Sequence, residues 1–403
     1  MSRIDDLIAE HCTAGVRTQP LSELATYVRG VTYGKNDEQE NGPLRVLRSN
    51  NITLASNTLN FDDIKHVSSN VRVRDNQRLY ANDILISAAS GSKAHVGKVA
   101  FIFENLSGFT FGGFMGVLRT NGTLEPRFLF HMLIGRSFSE HLDRTLSTTT
   151  INNLNASIMG SFVVPVPPME VQREIVRVLD QFTQLEAELE AELEAELEAR
   201  KQQYDYIRNE LLVYKQHHGV PIFTVGELCN VSRGKVISKD HLRDRAGGYP
   251  VYSSQTQNFG IFGYIDSYAY DFESITWTTD GANAGSVFYH NNEQFSITNV
   301  CGLLKVKNTS VILTKYLYYQ LGLTANRYVS RGMGNPKLMA KAASSIAVSV
   351  PHIDEQKRII FILDQLDALV NDLSVDLPAE LIARRKQYEY YRDRLLTFED
   401  AVG

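Results

Sequence analysis

One segment of this chain occurs twice, and the duplication constrains the fold more than any other feature of the sequence. Residues 162–213 reappear at 346–397 with a constant offset of 184 and no gap, and 22 of the 51 pairs from 162/346 to 212/396 are identical. Self-similarity on this scale indicates a structural unit that is used more than once. We therefore expect two copies of one unit, each with a helical segment preceded by a segment of different composition.

The repeated segment has the pattern of a long helix. Its apolar residues in the first copy follow a 4-3-4-3-4 spacing, at Val171, Ile175, Val178, Phe182, Leu185 and Leu189. This spacing predicts a helix packed along another helix. A helix from Glu170 to Leu212 would be about 65 Å long at 1.5 Å per residue. The second copy, running antiparallel, is the expected partner along that length.

The first helix also contains a shorter repeat. Leu-Glu-Ala-Glu occurs at 185–188, 189–192 and 193–196, followed by Leu-Glu-Ala-Arg at 197–200. Four residues turn about 400°, so these leucines drift around the helix, as on a solvated acidic helix. The repeat would also act as a ruler, because each unit adds about 6 Å without changing either end. Pro378 stands where the first copy has Glu194, and it predicts a kink or a restart in the second helix.

The segments between the helices differ from them in composition and charge. Residues 18–161 and 222–345 are rich in Val, Ile, Phe, Tyr, Gly, Asn and Ser, with short alternating stretches that predict β-rich domains with some helix. They carry net charges of +2 and +4, whereas the rest of the chain carries −11. The net charge of the whole chain is −5. A polyanion such as nucleic acid could therefore bind both segments without meeting the acidic helices.

The repeat extends to the N-terminus. Leu7, Gly15-Val16, Leu24 and Arg29-Gly30 match residues 204 positions further on. We expect an α+β fold with two β-rich domains separated by two long antiparallel helices that form a coiled-coil spacer, with internal pseudo-two-fold, circular symmetry. The predicted regions are an N-terminal segment 1–17 near the C-terminal helix end, domains 18–161 and 222–345, and helical regions 162–221 and 346–403.

Several other classes of protein and site are disfavoured. No apolar run reaches the about 20 residues of a membrane helix, and the N-terminus lacks the pattern of a signal peptide. The three cysteines are far apart, as expected of reduced thiols in the cytoplasm. His217-His218 and Cys229 have no second pair for a metal ion, and no nucleophile–base pair is evident. We expect a cytoplasmic protein with no metal and no catalytic site.

The order of variable region, repeated helix, variable region and repeated helix resembles the specificity subunit of type I restriction–modification systems. The signatures PPxxxQxxIVxxLDxF near 167–182 and RKxQYxYxRxxLL near 200–212 are similar to that family's conserved regions. YPVYSSQ and GANAGSVFY resemble one subclass of its target-recognition domains.

The resemblance implies a non-catalytic subunit that recognises an asymmetric, bipartite site in double-stranded DNA. It also implies partners: two modification subunits that dock on the helices, bind S-adenosylmethionine and methylate adenine, and motor–nuclease restriction subunits that join them in some systems. This chain would hold no cofactor itself. By the same resemblance, the helices set the spacer length.

Side chains suited to base edges or phosphates mark candidate DNA contacts, because Arg pairs with guanine, Asn or Gln with adenine, and Lys and small polar groups with phosphate. In the first domain they are Arg45, Arg48, Ser49, Asn50, Asn51, Lys93, His95, Lys98, Thr148, Thr149, Asn152 and Asn153. In the second they are Arg233, Lys235, Tyr252, Ser253, Ser254, Gln255, Gln257, Asn258, Thr279, Asp280, Asn283, Arg327, Arg331, Asn335 and Lys337. The alternative for each is an ordinary solvated turn residue.

Matched positions of the two helices are candidates for partner binding or for the helix spacer: Gln172, Ile175, Leu179, Asp180, Tyr204, Arg208, Gln356, Ile359, Leu363, Asp364, Tyr388 and Arg392. A coiled-coil scaffold whose β-rich domains bind proteins or glycans would explain the helices equally well. It would leave the polar clusters and the basic charge of the domains without a purpose. A standalone enzyme is disfavoured because no catalytic constellation is present.

Overall fold

The structure, a computed structural model, describes residues 3–54, 56–90, 95–146, 153–213, 219–332 and 334–399, with the backbone alone for 370–378. The helices are α1 (Arg3–His11), α2 (Leu21–Leu24), α3 (Pro126–Leu133), α4 (Arg136–Leu146), α5 (Ala156–Gly160), α6 (Met169–Val213), α7 (Val225–Leu228), α8 (Lys239–Asp244), α9 (Thr314–Thr324), α10 (Ala340–Ser344) and α11 (Ile353–Leu395). The strands up to the first long helix are β1 (Thr18–Pro20), β2 (Ala25–Arg29), β3 (Leu44–Leu47), β4 (Lys65–Val67), β5 (Arg78–Leu79), β6 (Ile84–Ser87), β7 (Val99–Phe101), β8 (Leu106–Phe111), β9 (Met115–Thr120) and β10 (Val163–Pro165). Those after it are β11 (Ile222–Thr224), β12 (Cys229–Arg233), β13 (Tyr249–Tyr252), β14 (Ile261–Ile265), β15 (Ser274–Thr278), β16 (Val287–His290), β17 (Ser296–Ile297), β18 (Cys301–Val306) and β19 (Ala347–Ser349).

The chain divides into two compact units. Unit 1 comprises Met1–Glu192 and Pro378–Gly403, and unit 2 comprises Leu193–Leu377. Each unit therefore contains one β-rich domain together with a part of α6 and a part of α11.

The two domains repeat one sheet plan. Unit 1 has an antiparallel sheet in the order β2-β9-β6-β7 and a second sheet in the order β4-β3-β8-β5, in which β3 and β8 are parallel. Unit 2 has the order β12-β18-β15-β16 and a smaller sheet β14-β13-β17, in which β13 and β17 are parallel. The predicted α+β class with two β-rich domains and two long helices is confirmed.

The ends of each domain are joined by a short antiparallel strand pair. Thr18–Pro20 pairs with Val163–Pro165 in unit 1, and Ile222–Thr224 pairs with Ala347–Ser349 in unit 2. The N-terminal segment of unit 1 meets the end of α11, where Val16 N donates to Glu399 O at 2.9 Å. This is a contact that a circular repeat requires. The exact domain boundaries stay predictions.

The long helices match their predicted extent. α6 has 45 residues and α11 has 43. Because α11 continues through Pro378, the predicted restart of the helix at this proline was wrong. The predicted kink stays a prediction. In unit 1 the helices run antiparallel. Thr183 Oγ1 lies 3.3 Å from Tyr388 Oη, and further along α6 Glu186 Oε1 lies 3.1 Å from Arg385 Nε.

The first turns of α6 pack in the core of unit 1, and those of α11 pack in the core of unit 2. Val171, Ile175 and Leu179 are fully buried and belong to the core that contains Phe128 and Leu396. Further along the predicted seam, Phe182 is 41% exposed and Leu185 is 61% exposed. The fully buried stripe of the first turns recurs every four residues and packs on the domain, and Tyr388 and Leu395 of α11 join the same core, so the predicted packing along another helix stays a prediction there.

Candidate nucleic-acid interface

In unit 1, loops that are far apart in sequence form one surface, which we call the unit 1 loop face (31–33, 48–50, 89–90, 112–114 and 153). Gly112 N donates to Leu47 O at 3.0 Å, and Ala88 N and Ala89 N both donate to Phe114 O, at 2.8 and 3.1 Å. Val31 pairs with Gly112, and Ala89 pairs with Asn153. A cleft of about 920 Å³ lies on this face, lined by residues that include Arg48, Ser49 and Asn50.

The same connections recur in unit 2 and define the unit 2 loop face (235–236, 253–258, 279–283, 298–300 and 330–337, without 333). Thr279 N donates to Val300 O at 3.2 Å, and Thr298 N donates to Tyr252 O at 2.9 Å. Lys235 pairs with Thr298, and Asp280 pairs with Lys337. The dispersed polar clusters of each domain are therefore brought together on the same part of one frame.

A pair of matched glycines explains how closely these loops approach. A Cβ atom at Gly30 would overlap the carbonyl oxygen of Gly112, and one at Gly234 would overlap that of Ile297. Only a residue without a side chain leaves room for the turn at either place. The Arg-Gly match between the two halves of the sequence therefore marks the base of each loop face.

Arg48 and Asn50 are held together by a carboxylate that sequence reasoning missed. Asp63 Oδ2 accepts from Arg48 Nη2 at 2.8 Å and from Asn50 Nδ2 at 2.9 Å, and the Asp63 side chain is 72% exposed. The group presents a guanidinium, a carboxamide and a carboxylate, which suit guanine, adenine and cytosine edges respectively. No sequence pattern links residue 63 to residues 48–50; only the folded turn does.

Two predicted contacts of the first domain point inwards and support this turn. Asn51 is 1% exposed, and its side chain accepts from Arg48 N and donates to Asn60 O and Asp63 O. Lys98 is 9% exposed and donates to Ser49 O and Ile52 O, both at 2.9 Å. Burial lowers the pKa of Lys98. DNA contact by Asn51 and Lys98 was therefore wrong, because both side chains are used inside the domain.

Several other candidates are occupied by their own domain. Arg45 lies 3.9 Å over the Phe109 ring and donates to Ser107 O at 2.8 Å. Arg233 donates to Asn299 O at 2.6 Å, and the Gln255 amide donates to Ile261 O. These contacts position the side chains without burying them.

Tyr252 and Thr279 correct the prediction for the second domain. Tyr252 is 6% exposed, and burial, aided by the nearby Glu293 carboxylate, raises the pKa of Tyr252. Thr279 is 1% exposed, and its hydroxyl donates to Val300 O at 2.9 Å. Both side chains hold the loop face together from below, so DNA contact by either was wrong.

The remaining candidates are accessible or lie outside the described residues. Exposed side chains are those of Asn50, His95, Asn153, Lys235, Gln257, Asn258, Asn283, Arg327, Arg331, Asn335 and Lys337. Ser49, Ser253, Ser254 and Asp280 are half-buried. Lys93, Thr148, Thr149 and Asn152 lie outside the described residues.

The sequence-based prediction of DNA contacts also missed a group of arginines beside the unit 1 loop face. A second cleft, of about 680 Å³, is lined by Arg29, Arg72 and Arg74 and adjoins the loop face through Val31 and Thr32. In the part of the chain that the structure describes, neither Arg72 nor Arg74 makes an ion pair. The alternation Val-Arg-Val-Arg at 71–74 was the available signal, since it places both arginines on the face opposite the buried Val71.

The matched glutamines of the long helices attach each helix to its own domain. Gln172 Oε1 accepts from Glu125 N at 2.8 Å, and its amide donates to Pro167 O at 2.8 Å. Gln356 Oε1 accepts from Leu313 N at 2.9 Å, and its amide donates to Pro351 O at 2.8 Å. Both side chains are buried, so they act within the helix attachment and leave nothing for a partner to contact.

The matched aspartates clamp a short helix of each domain. Asp180 meets Arg127 and His131 of α3, with His131 Nε2 2.8 Å from Asp180 Oδ1. Asp364 meets Lys315 and Tyr319 of α9, at 2.7 and 2.6 Å. Among the other helix candidates, Ile175, Leu179, Ile359, Leu363 and Arg392 are buried, whereas Tyr204, Arg208 and Tyr388 are half-buried. Most of these positions therefore serve the attachment of helices to domains.

Metal sites and membrane-spanning helices are absent from the part of the chain that the structure describes. Within the described ranges, no group of three or more His, Cys, Asp or Glu side chains could hold a metal ion. In the same ranges, no helix is both long enough and apolar enough to cross a membrane.

Comparisons with known proteins identify the family. The family model "Type I restriction modification DNA specificity domain" matches residues 15–199 and 218–383. A type I specificity subunit of Mycoplasma pneumoniae is 37% identical over 251 residues, which are 60% of this chain and 99% of that protein. One of Haemophilus influenzae is 29% identical over 367 residues, 83% of this chain and 91% of that protein.

A solved structure has the same fold. A chain solved in work on complex assembly and conformational transition of the type I R-M system aligns with a TM-score of 0.74 at 16% identity, over 95% of this chain and 97% of that chain. The duplicated family match covers both domains and most of both long helices. The chain therefore belongs to the family of type I restriction–modification specificity subunits, the non-catalytic DNA-recognition components of these systems.

Proposed function

We propose that the chain recognises an asymmetric, bipartite site in double-stranded DNA, one half-site with each loop face, and that it docks two modification subunits on its helices. The observation that carries the proposal is the duplicated loop face: one backbone frame presents different side chains in the two units. Two similar frames with unlike side chains suit two unlike half-sites. The long helices would then set the length of the unread spacer between them.

The side chains of the two faces support different base preferences. Unit 1 presents Arg48, Asp63 and Asn50 as one hydrogen-bonded group. Unit 2 presents Asn283, which donates to Thr256 at 2.8 Å, with the exposed Gln257 and Asn258 beside it. A carboxamide pairs with adenine and a guanidinium with guanine in the major groove. The modification subunits would carry out the methylation: they would bind S-adenosylmethionine and take the target adenine out of the base stack. The complex would act in the cytoplasm, and in some systems restriction subunits would join it.

The arginines beside the unit 1 loop face provide a direct test of DNA binding. In the complex with modification subunits, we expect Arg72→Ala with Arg74→Ala to weaken binding on cognate and unrelated DNA alike. The slope of log affinity against log salt should fall by about 0.9 for each phosphate that the variant no longer neutralises. Binding is measured by titration at several salt concentrations. Arg136→Ala is the matched control, because Arg136 is also exposed but pairs with Glu140 on α4.

The same titration separates DNA recognition from the scaffold alternative. A scaffold whose domains bind proteins or glycans predicts no salt-dependent affinity for DNA and no change in the double variant. That result would contradict the proposed function. Methylome sequencing of a host that carries the chain with its modification subunits would give both half-sites and the spacer together.

A repeated exposed patch on the helices supports docking of a partner present in two copies. Leu185 and its copy Leu369 are 61% and 55% exposed, and Tyr206 and its copy Tyr390 are 67% and 62% exposed. Folding does not require large apolar side chains at exposed positions, and clusters of them mark interaction surfaces. In unit 1 the patch is continuous, because the Tyr390 ring contacts Tyr391, which stacks on Phe182.

We expect Tyr206→Ala and Tyr390→Ala each to weaken one of two docking sites. Each single variant should form complexes with one modification subunit, and the double variant should form none at concentrations where the unmodified chain binds two. Native mass spectrometry of the complex measures this stoichiometry. Phe361→Ala is the control, because Phe361 is 66% exposed but its copy in the first helix is Arg177, so it lies outside the repeated patch. Two bound subunits on the double variant would contradict this docking surface.

A further inference from the structure

The unit 1 loop face presents one large apolar side chain among its polar groups. Phe114 is 72% exposed, in the turn between β8 and β9, and it lines the same cleft as Arg48, Ser49 and Asn50. At the same place in the frame, unit 2 has Val300, which is half-buried. An exposed aromatic ring at this position is therefore a property of one reading surface and not of the shared frame.

The backbone that carries this ring is fixed on both sides. The carbonyl oxygen of Phe114 accepts from Ala88 N at 2.8 Å and from Ala89 N at 3.1 Å, and Met115 N donates to Gly112 O at 2.8 Å. The following side chain, Met115, is 0% exposed and anchors the turn in the core. Since Gly112 and Gly113 have no side chains, they cannot cover the ring. The phenyl group is thus exposed to water, and burying it against a ligand is favourable. Because the backbone of the turn is already fixed, binding requires little further loss of backbone freedom.

We propose that Phe114 is a specificity-determining residue that contacts the 5-methyl group of a thymine in the half-site read by unit 1, an inference that rests on the proposed DNA-binding function. The methyl group of thymine is the one apolar feature among the base edges of the major groove, and Phe is among the side chains that pack against it. The neighbouring Arg48 and Asn50 would read polar edges of adjoining base pairs. An apolar contact at this position discriminates thymine from cytosine, because cytosine lacks the 5-methyl group.

The test uses the complex of the full chain with its modification subunits and duplexes that contain the methylated site. Each thymine of the half-site, on either strand, is replaced singly by deoxyuridine, which removes the methyl group alone. One replacement should weaken binding by the unmodified chain by about fourfold, the effect of one buried methyl group. Phe114→Ala should bind the thymine duplex with a similar reduction in affinity and should show no additional reduction on that deoxyuridine duplex.

Phe103→Ala is the matched control. Phe103 is also 72% exposed in unit 1, but it lies beside Phe101 and Arg127, away from the loop face, so binding should not change. Thermal unfolding of both variants checks that the fold is intact.

Three results would overturn the role of Phe114: a half-site without thymine, a Phe114→Ala variant that binds the site as tightly as the unmodified chain, or an equal reduction in affinity on cognate and unrelated DNA. Each is distinguishable from failure of the proposed function, in which the unmodified complex itself would not discriminate its methylated site from unrelated sequence.

Discussion

Deleting residues 193–196 from α6 is expected to shorten the unread spacer of the recognised site by about one or two base pairs. Four helical residues span about 6 Å, and one base-pair step spans about 3.4 Å. The deletion also changes the rotation between the helix ends by about 40° beyond a full turn, close to the about 35° of twist in one base-pair step. Translation and rotation therefore favour a similar change of spacer.

The surroundings of the deleted turn explain why each unit should survive it. The contacts of Thr183 and Glu186 with α11 lie on the N-terminal side of the deletion. On its C-terminal side, Leu212 belongs to the core of unit 2, and Tyr204 lies against Asp367; burial, aided by that carboxylate, raises the pKa of Tyr204. No residue from 193 to 196 is buried.

Methylome sequencing of a host with the deleted chain measures the outcome. Methylation at the original site should disappear, and a motif with the same half-sites and a shorter spacer should replace it. Glu194→Ala with Glu198→Ala is the control, because it removes acidic charge at constant length and should keep the original motif. An unchanged spacer after deletion would reject the ruler. Changed half-sites would mean that the deletion disturbed the domains themselves.

The sequence was most informative where its patterns are local or repeated. The predicted helix from Glu170 to Leu212 placed both ends of α6 within one residue, because the apolar period of a helix is a local property. The β-rich character of residues 222–345 was likewise predicted from short alternating stretches, and Ser274–Thr278 is one of the strands found there. The duplication also pointed to matched roles for Gln172 and Gln356.

The loop faces show the limit of sequence reasoning. Asn51, Lys98 and Thr279 have the chemistry of DNA contacts, but a turn needs the same donors and acceptors to satisfy its own backbone groups. Composition alone does not distinguish these uses, whereas burial does. Asp63 and Arg72 were missed for the opposite reason, since they reach the interface through long-range folding and stand in no polar cluster with it.

Unit 1 is expected to lose stability as the pH falls below about 6.5, the ordinary pKa of histidine. His131 is 1% exposed. Burial lowers the pKa of His131, and the charges of Arg127 and Arg392 act in the same direction, against the hydrogen bond to Asp180. The unfolded chain then binds more protons than the folded one. Stability from the neutral ring is therefore complete above the unfolded pKa and is lost as the pH falls through the folded pKa.

Asp180, the carboxylate paired with His131, affects stability in a more acidic pH range. Burial raises the pKa of Asp180, but the hydrogen bonds from His131 and Arg127 outweigh it, so the pKa of Asp180 is lowered overall. Its contribution is present above the unfolded pKa of an aspartate and is lost only as the pH falls further. Between pH 7 and pH 5, the change in this clamp should therefore come from His131.

Unit 2 supplies the matched control for this prediction. The equivalent clamp has Tyr319, whose hydroxyl donates to Asp364 at 2.6 Å, and burial with that carboxylate raises the pKa of Tyr319. It does not titrate in the range that affects His131. Hydrogen exchange, corrected for its intrinsic pH dependence, should therefore accelerate in α3 and in residues 169–192 between pH 7.5 and pH 5.5, but not in α9.

Two variants test the cause. His131→Tyr, which copies unit 2, should remove the acid sensitivity of α3. Asp180→Asn should destabilise unit 1 by about 1–3 kcal/mol at neutral pH, because it weakens the charged hydrogen bonds that hold Arg127 and the buried His131 ring. Equal acid sensitivity in α3 and α9, or its persistence in His131→Tyr, would assign the pH response to another group. If each loop face reads one half-site, as proposed, recognition of the unit 1 half-site should be lost first on acidification, because each domain holds its loop face on the helix that its own clamp secures.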